Sequence, residues 1–386
     1  MIYERKIESL LRQRLSTFPV VGITGPRQAG KTTLAKSVVA QLAQKTVYLD
    51  LELPSDLNRL NNAELFLKEN EQNLIVLDEV QRKPELFPAL RALVDQHRVA
   101  GRFLILGSAS PDLLRQSSET LAGRISYLEL TPFHIRELPD GDFQKNWLRG
   151  GFPPALFAAT ETVAFQWLQD FIITFIERDL PQFGLTAPSQ TLRTLLQMLT
   201  GIHANLLNQS TLANSLGLTV PTIKRYLSYF ESAYFIRFLQ PWHVNIGKRL
   251  VKTPKAYFRD SGVLHYLAGI SDKNQLFGHH IIGASWEGYG IQQVIANLPP
   301  SVLPYFYRTK EGSEIDLVLV RGNAPVAAIE FKISANPALG KGNRIALTDL
   351  GSPPAFIVTP HTADYPLETT VRVCDLISIW KYLDKL

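Results

Sequence analysis

Pro19-Val20-Val21-Gly22-Ile23-Thr24-Gly25-Pro26-Arg27-Gln28-Ala29-Gly30-Lys31-Thr32-Thr33 is the stretch from which the rest of the chain can be read. Residues 19–24 form a short apolar run of strand type, and residues 33–43 carry a helical pattern. Between them, residues 25–32 match G-x-x-x-x-G-K-[ST], in the strand–loop–helix context that the pattern requires. Glycines in such a loop let backbone N–H groups close on phosphates, and the following helix N-terminus adds a partial positive charge. This places Gly25, Pro26, Arg27, Gln28, Ala29, Gly30, Lys31, Thr32 and Thr33 around ATP. Lys31 is expected to reach the β- and γ-phosphates and act in catalysis, and the Thr32 hydroxyl to ligate Mg²⁺.

Working outward, Asn73-Leu74-Ile75-Val76-Leu77-Asp78-Glu79 is an apolar run that ends in two acids. A run without polar alternation suits a strand buried on both faces of a parallel sheet, and acids at its carboxyl end face the ligand crevice. Asp78 is expected to hold Mg²⁺, and Glu79 to activate the attacking water. Three further strands, 46–51, 102–106 and 125–130, and a helix over 84–99 complete a doubly wound α/β pattern. Ser108, just past one of these strands, is a candidate contact to the γ-phosphate or the water, or else a turn residue. Arg124 is a candidate phosphate sensor in cis or arginine finger in trans, or else a surface ion pair, and Arg178 is a weaker candidate of the same kind.

Gly150-Gly151-Phe152-Pro153-Pro154 breaks the pattern, and helical sequence follows through Leu199. Residues 210–227 have a helix-turn-helix layout, with Gly217 available for a left-handed cap and Thr219 for the N-cap of the second helix. Val220, Ile223, Tyr226, Leu227 and Phe230 fall at core spacing, which leaves Thr222, Lys224, Arg225 and Ser228 outward. Residues 233–240 and 255–258 read as wing strands, with Lys248, Arg249 and Lys252 between them. From 210 to 260 there are eight Lys and Arg against Glu231 and Asp260, so 8 − 2 = +6, more than the +5 of the whole chain. A local basic stripe is the footprint of a phosphate-backbone binder. Thr222, Lys224, Arg225, Lys248, Arg249 and Lys252 are therefore the DNA-contact candidates, the rival use being a protein-binding winged helix or a solvated surface.

The last third carries a second acidic constellation. Residues 314–320 form a strand, Arg321-Gly322-Asn323 a turn, and 325–332 the return strand. Glu330 and Lys332 share one sheet face, and the hairpin can bring Asp316 beside Glu330. Two carboxylates suit a hard cation, and a neighbouring lysine can stabilise charge on a phosphate. Glu287, at the start of a helical pattern, could complete the set, and the rival reading is a salt-bridged sheet face.

Composition bounds these readings. The chain has 386 residues with 45% hydrophobic and 19% charged, enough for two or three domains with cores and unlike a disordered chain. A single cysteine, Cys374, excludes a disulfide framework and a cysteine zinc ribbon. The longest apolar runs are too short to span a bilayer, and the charged N-terminus does not read as a signal peptide, so a cytoplasmic protein without a membrane partner is expected.

Taken together, these residues resemble the prokaryotic AAA-type ATPases that join an ATPase domain to a C-terminal DUF4143 domain. The resemblance is carried by residues 25–32, 74–79, 106–110, 121–124, 150–153, 177–180, 257–262 and 329–332, and covers nearly the whole chain. It implies P-loop ATPase activity and a C-terminal region similar to the PD-(D/E)XK nuclease superfamily, with Glu287, Asp316, Glu330 and Lys332 at its acidic and lysine positions. The expected architecture is α/β: a P-loop AAA-type parallel sheet over 1–140, a helical section over 141–208, a winged helix over 209–268, and a small restriction-endonuclease-like α/β domain over 269–386. The expected function is Mg²⁺-dependent ATP hydrolysis coupled to DNA binding or remodelling by a homo-oligomer. The alternatives are an ATP-regulated metal-dependent DNA endonuclease and a signalling or scaffold ATPase whose winged helix binds protein.

Overall fold

The three inner strands of the first third are buried on both sides because each feeds two cores. In the computed structural model, which describes residues 3–107, 120–138, 142–243 and 250–386, the chain forms two units. The first comprises Met1–Pro132, Gln182–Leu185 and Ser228–Tyr234. Its sheet is parallel, built from β1 (Val20–Thr24), β2 (Thr46–Asp50), β3 (Leu74–Asp78), β4 (Phe103–Leu106) and β5 (Ile125–Glu129), in the order β2-β3-β4-β1-β5. Successive side chains go to opposite faces. Val20, Ile75, Leu77, Phe103 and Ile105 join one core, with Leu90 and Val94 of the Leu86–Gln96 helix. Val21, Ile23, Leu74, Val76, Leu104 and Leu106 join the other, with Leu11 and Leu15 of the Ile7–Leu15 helix and Leu34 and Val38 of the Lys31–Val39 helix. Burying one such side chain contributes about 1.5–3 kcal/mol, so the alternation is what makes the sheet a stable platform. The Leu86–Gln96 helix is shorter than the 84–99 pattern, since the Arg102 guanidinium donates to the carbonyl oxygens of Leu93 and His97 and closes its end.

The second unit comprises Phe133–Pro181, Thr186–Leu227 and Phe235–Leu386. It opens with helices, among them Phe143–Arg149 and Glu161–Thr174. A three-stranded antiparallel sheet follows, ordered β6 (Asn205–Leu206), β8 (Lys255–Phe258), β7 (Ile236–Leu239). The helices Gln209–Leu216 and Val220–Ser232 lie between β6 and β7 in the chain, which gives the winged-helix order. Gly217 takes the left-handed conformation (φ 64°), and the Thr219 hydroxyl accepts from the Thr222 N–H at 3.3 Å, as the sequence predicted. Two expectations change. Val220 is 39% exposed, because it is the first helical residue and lies before the packed stripe of Ile223, Tyr226, Leu227 and Phe230. The first wing strand begins at Ile236 rather than 233, because Tyr234 has a positive φ of 61° that no regular strand accommodates.

The remainder is a mixed sheet, β9 (Val302–Arg308), β10 (Glu314–Arg321), β11 (Ala324–Phe331), β12 (Ala355–Val358), β13 (Asp364–Glu368) and β14 (Val371–Cys374), ordered β13-β14-β12-β11-β10-β9. The helices Ile282–Ile295 and Lys341–Asp349 pack against it. The motif at 257–262 gains a structural meaning here. Asp260 is buried, caps the Ser261–Leu267 helix through the Val263 N–H (3.0 Å), and accepts from the Gly151 N–H (2.7 Å). Burial pushes its carboxyl up to about 6, against the pull of those N–H donors. Among the described residues, no helix is long and apolar enough to cross a membrane.

Candidate active site

At the end of β1 the chain turns through three residues with positive φ, Gly25 (143°), Gln28 (64°) and Gly30 (99°), before entering the Lys31–Val39 helix. Backbone that alternates hand in this way turns successive N–H groups inward as an anion cradle. At Gly25 only glycine fits, since a Cβ there would lie 2.2 Å from the Leu130 carbonyl oxygen. The Lys31 ammonium is buried and donates to the carbonyl oxygens of Gly25 (3.0 Å) and Pro26 (2.8 Å), so it is held at the loop. Arg27 donates to Gln182 (3.0 Å), Ala29 is buried, and Thr33 is exposed on the first helical turn.

The acidic pair sits at the carboxyl end of β3, as predicted. The Thr32 hydroxyl donates to Asp78 Oδ2 at 2.7 Å and Tyr48 Oη donates to the same oxygen at 2.6 Å. The Glu79 N–H donates to Asp78 Oδ1 at 3.0 Å. Burial and then the Asp78 hydrogen bond hold the Tyr48 phenol well above its ordinary range, so it remains a donor. A hydroxyl that gives its proton to a carboxylate keeps its lone pairs for a cation. The donor set of Thr32 and Asp78, hydroxyl and carboxylate oxygen, therefore fits Mg²⁺. Glu79 has a positive φ of 56°, and its carboxylate accepts from the side-chain amide of Gln81.

Three contributors were not legible in the sequence. The Arg5 guanidinium, 6% exposed, donates to the Ala29 carbonyl at 3.0 Å and the Thr131 carbonyl at 2.6 Å, bracing the loop from behind. Tyr234 Oη donates to Thr24 Oγ1 at 3.0 Å, just before the loop, and Tyr48 orients Asp78. None has a local sequence signal, because each acts across a long separation. A charged hydrogen-bond donor contributes more than a neutral one. Arg5→Ala is accordingly expected to lower stability by about 2 kcal/mol in urea denaturation, and Arg5→Lys to restore little of it, since a point charge cannot span both carbonyls.

Arg124 makes a bidentate pair with Asp95 (2.6 and 2.8 Å) and donates to the Ala122 carbonyl (2.8 Å). This is the surface-pair arrangement. To contact phosphate, in cis or in trans, it would first have to leave Asp95, which an exposed pair permits. Arg178 is exposed within a wide helical turn, Phe175–Asp179. Lys224, Arg225 and Lys252 are exposed and Thr222 is half-buried. Ser108, Lys248 and Arg249 lie outside the described residues.

In the second unit the predicted acidic set does converge. The pairing of Leu317 with Ile329 puts Asp316 opposite Glu330. Asp316 Oδ2 accepts from the Phe331 N–H at 3.0 Å, and Lys332 Nζ lies 2.6 Å from Glu330 Oε1. The missed member is Lys255, counted above among the basic stripe. It is 2% exposed, and its ammonium stands 2.9 Å from Glu287, 2.7 Å from Glu314 and 3.5 Å from Asp316. Tyr257 Oη adds a 2.6 Å hydrogen bond to Glu287. Burial and the neighbouring Asp316 push both Glu287 and Glu330 above the usual carboxylate range. Burial works against the Lys255 charge, but the surrounding oxygens outweigh it and keep the ammonium protonated.

Comparison with known proteins divides the chain into three consecutive spans. Residues 17–139 match the family model of an AAA domain, residues 140–274 a domain of unknown function (DUF8612), and residues 282–382 a domain of unknown function (DUF4143). Uncharacterized proteins of Mycobacterium tuberculosis and Mycobacterium bovis are each 42% identical over 371 residues, covering 96% of this chain and 83% of theirs. A Walker-type ATPase of Pyrococcus abyssi superposes with a TM-score of 0.49 at 13% identity, over 69% of this chain and 96% of that one. With the phosphate loop and acidic strand in place at its N-terminal end and DUF4143 at its C-terminal end, the chain belongs, with these mycobacterial proteins, to the AAA-type P-loop ATPases that carry a C-terminal DUF4143 domain.

Proposed function

We propose that the protein hydrolyses ATP to ADP and phosphate with Mg²⁺ as cofactor, and that turnover is coupled to DNA binding by its winged helix in a homo-oligomer. The observation that carries the first part is the meeting of Thr32, Asp78 and Glu79 beside a loop that holds Lys31. The loop N–H groups and Lys31 bind and orient the phosphates. Asp78 and Thr32 would hold Mg²⁺, which when bound neutralises phosphate charge. Glu79 would take the proton of the attacking water, a reading supported by the Gln81 amide that orients its carboxylate.

The DNA reading rests on Lys224 and Arg225, exposed on the second helix of the pair, with Lys252 exposed near the wing. It is tested by titrating labelled duplex DNA across a range of salt, with and without ATP. Charge reversal at Lys224 and Arg225 is expected to weaken binding tenfold or more and to reduce the log–log salt slope by about 2, one per lost phosphate contact. Binding that ignores both salt and these reversals would favour the protein-contact use of the winged helix. Absence of Mg²⁺-dependent ATP turnover in the native protein would sink the ATPase half.

A further inference from the structure

The nuclease resemblance assigns a divalent metal to the Glu287, Asp316 and Glu330 cluster, and the residues present do not fit one. A hard cation needs several oxygen lone pairs turned toward one shared point. Here the carboxylates already hold cations of the protein itself, Glu287 and Asp316 the ammonium of Lys255 and Glu330 that of Lys332. Lys255, projecting from β8, sits within 3.5 Å of carboxylates from the Ile282–Ile295 helix (Glu287) and β10 (Glu314 and Asp316). Among the described residues, no three His, Cys, Asp or Glu side chains stand as a set able to hold a metal ion. The charge is also nearly balanced. Glu287, Glu314, Asp316 and Glu330 face Lys255, Lys332 and Arg308, the last 3.1 Å from Glu314, so 3 − 4 leaves −1. Asp316 and Glu330 are 7% and 5% exposed, which leaves little room for a phosphodiester to approach.

We propose that Lys255 is the resident cation of this cluster, neutralising two of the three carboxylates to which the resemblance would give a metal ion, Glu287 and Asp316, while Lys332 holds the third, Glu330. The cluster is then a buried clasp that fastens the winged sheet to the Ile282–Ile295 helix and β10, and it does not serve metal-dependent cleavage. Three properties make lysine suited to the role. Its ammonium has three donors for three carboxylates, it stays charged among them, and its strand fixes it in place without a binding equilibrium. The inference is independent of the ATPase reading, since no nucleotide contact enters it.

Thermal unfolding of the full chain without nucleotide tests it in two arms. In the first, Mn²⁺ is added to the native protein and to Asp316→Asn. The expected result is the same response in both. A Mn²⁺-dependent rise in the native midpoint that Asp316→Asn abolishes would overturn the proposal, whatever the lysine variants do. In the second, Lys255→Met is expected to lower the midpoint by roughly 6–20 °C, because it leaves buried carboxylates without their cation. Adding Glu287→Gln to Lys255→Met should recover a substantial part of that loss. A Lys255→Met protein as stable as the native one, or a double variant in which the two losses simply add, would also overturn it.

Discussion

Glu79→Gln should turn over ATP about a thousandfold more slowly than the native protein, the middle of the range for a general base, while binding ATP as tightly. The substitution keeps the size of the side chain and an oxygen that can accept from Gln81, and it does not touch Asp78, Thr32 or Lys31. It removes only the capacity to take a proton. A loss confined to turnover is the signature of an interaction made in the transition state rather than in the ground state. Lys31→Ala gives the complementary pattern, because the ammonium belongs to the binding loop, and nucleotide affinity should fall with turnover. The pair is read by steady-state turnover together with equilibrium binding of a fluorescent ATP analogue. Glu79→Gln turnover within threefold of native, with intact binding, would remove Glu79 from the catalytic role.

Gly25→Ala should destabilise the first unit by about 3 kcal/mol and abolish measurable ATP binding. Two independent penalties meet at this position. The φ of 143° lies where only glycine rests without strain, and the new methyl would have to sit 2.2 Å from the backbone oxygen of Leu130. Backbone cannot swing aside as a long side chain can, so either β5 or the loop must shift, and the cradle opens. Denaturant titration and nucleotide binding measure the two consequences separately. A variant that binds ATP normally would mean that the loop accommodates its ligand without this turn.

Legibility in the sequence falls as the partners of a residue lie farther away along the chain. The loop, Asp78 and Glu79 are local patterns with a strict structural context, and the strands around them announce themselves by apolar runs. The helix-turn-helix caps at Gly217 and Thr219 are equally local. Arg5, Tyr48 and Tyr234 were invisible, because their roles are set by hydrogen bonds to residues far away in sequence. Lys255 is the sharpest case. Counted by composition it belongs to the basic stripe, yet its strand buries it among acids, so the stripe's +6 overstates what a DNA backbone would meet. Charge counted along a sequence does not distinguish a solvated ammonium from one committed to an internal partner.

The first unit closes on itself only with help from two later segments, Gln182–Leu185 and Ser228–Tyr234. This bears on how the protein is made. A ribosome adding about 5–20 residues per second needs roughly 5–20 s more to travel from the end of the sheet to the last of these segments. For the first half of that interval the nascent chain lacks Gln182, the partner of Arg27, and for all of it Tyr234, the partner of Thr24. A fragment cut where the AAA sequence match ends, at residue 139, would be held permanently at that unfinished stage. The unit of inheritance and the unit of folding have different borders in this chain, and the first unit is complete only after both helices of the winged-helix segment have been synthesised.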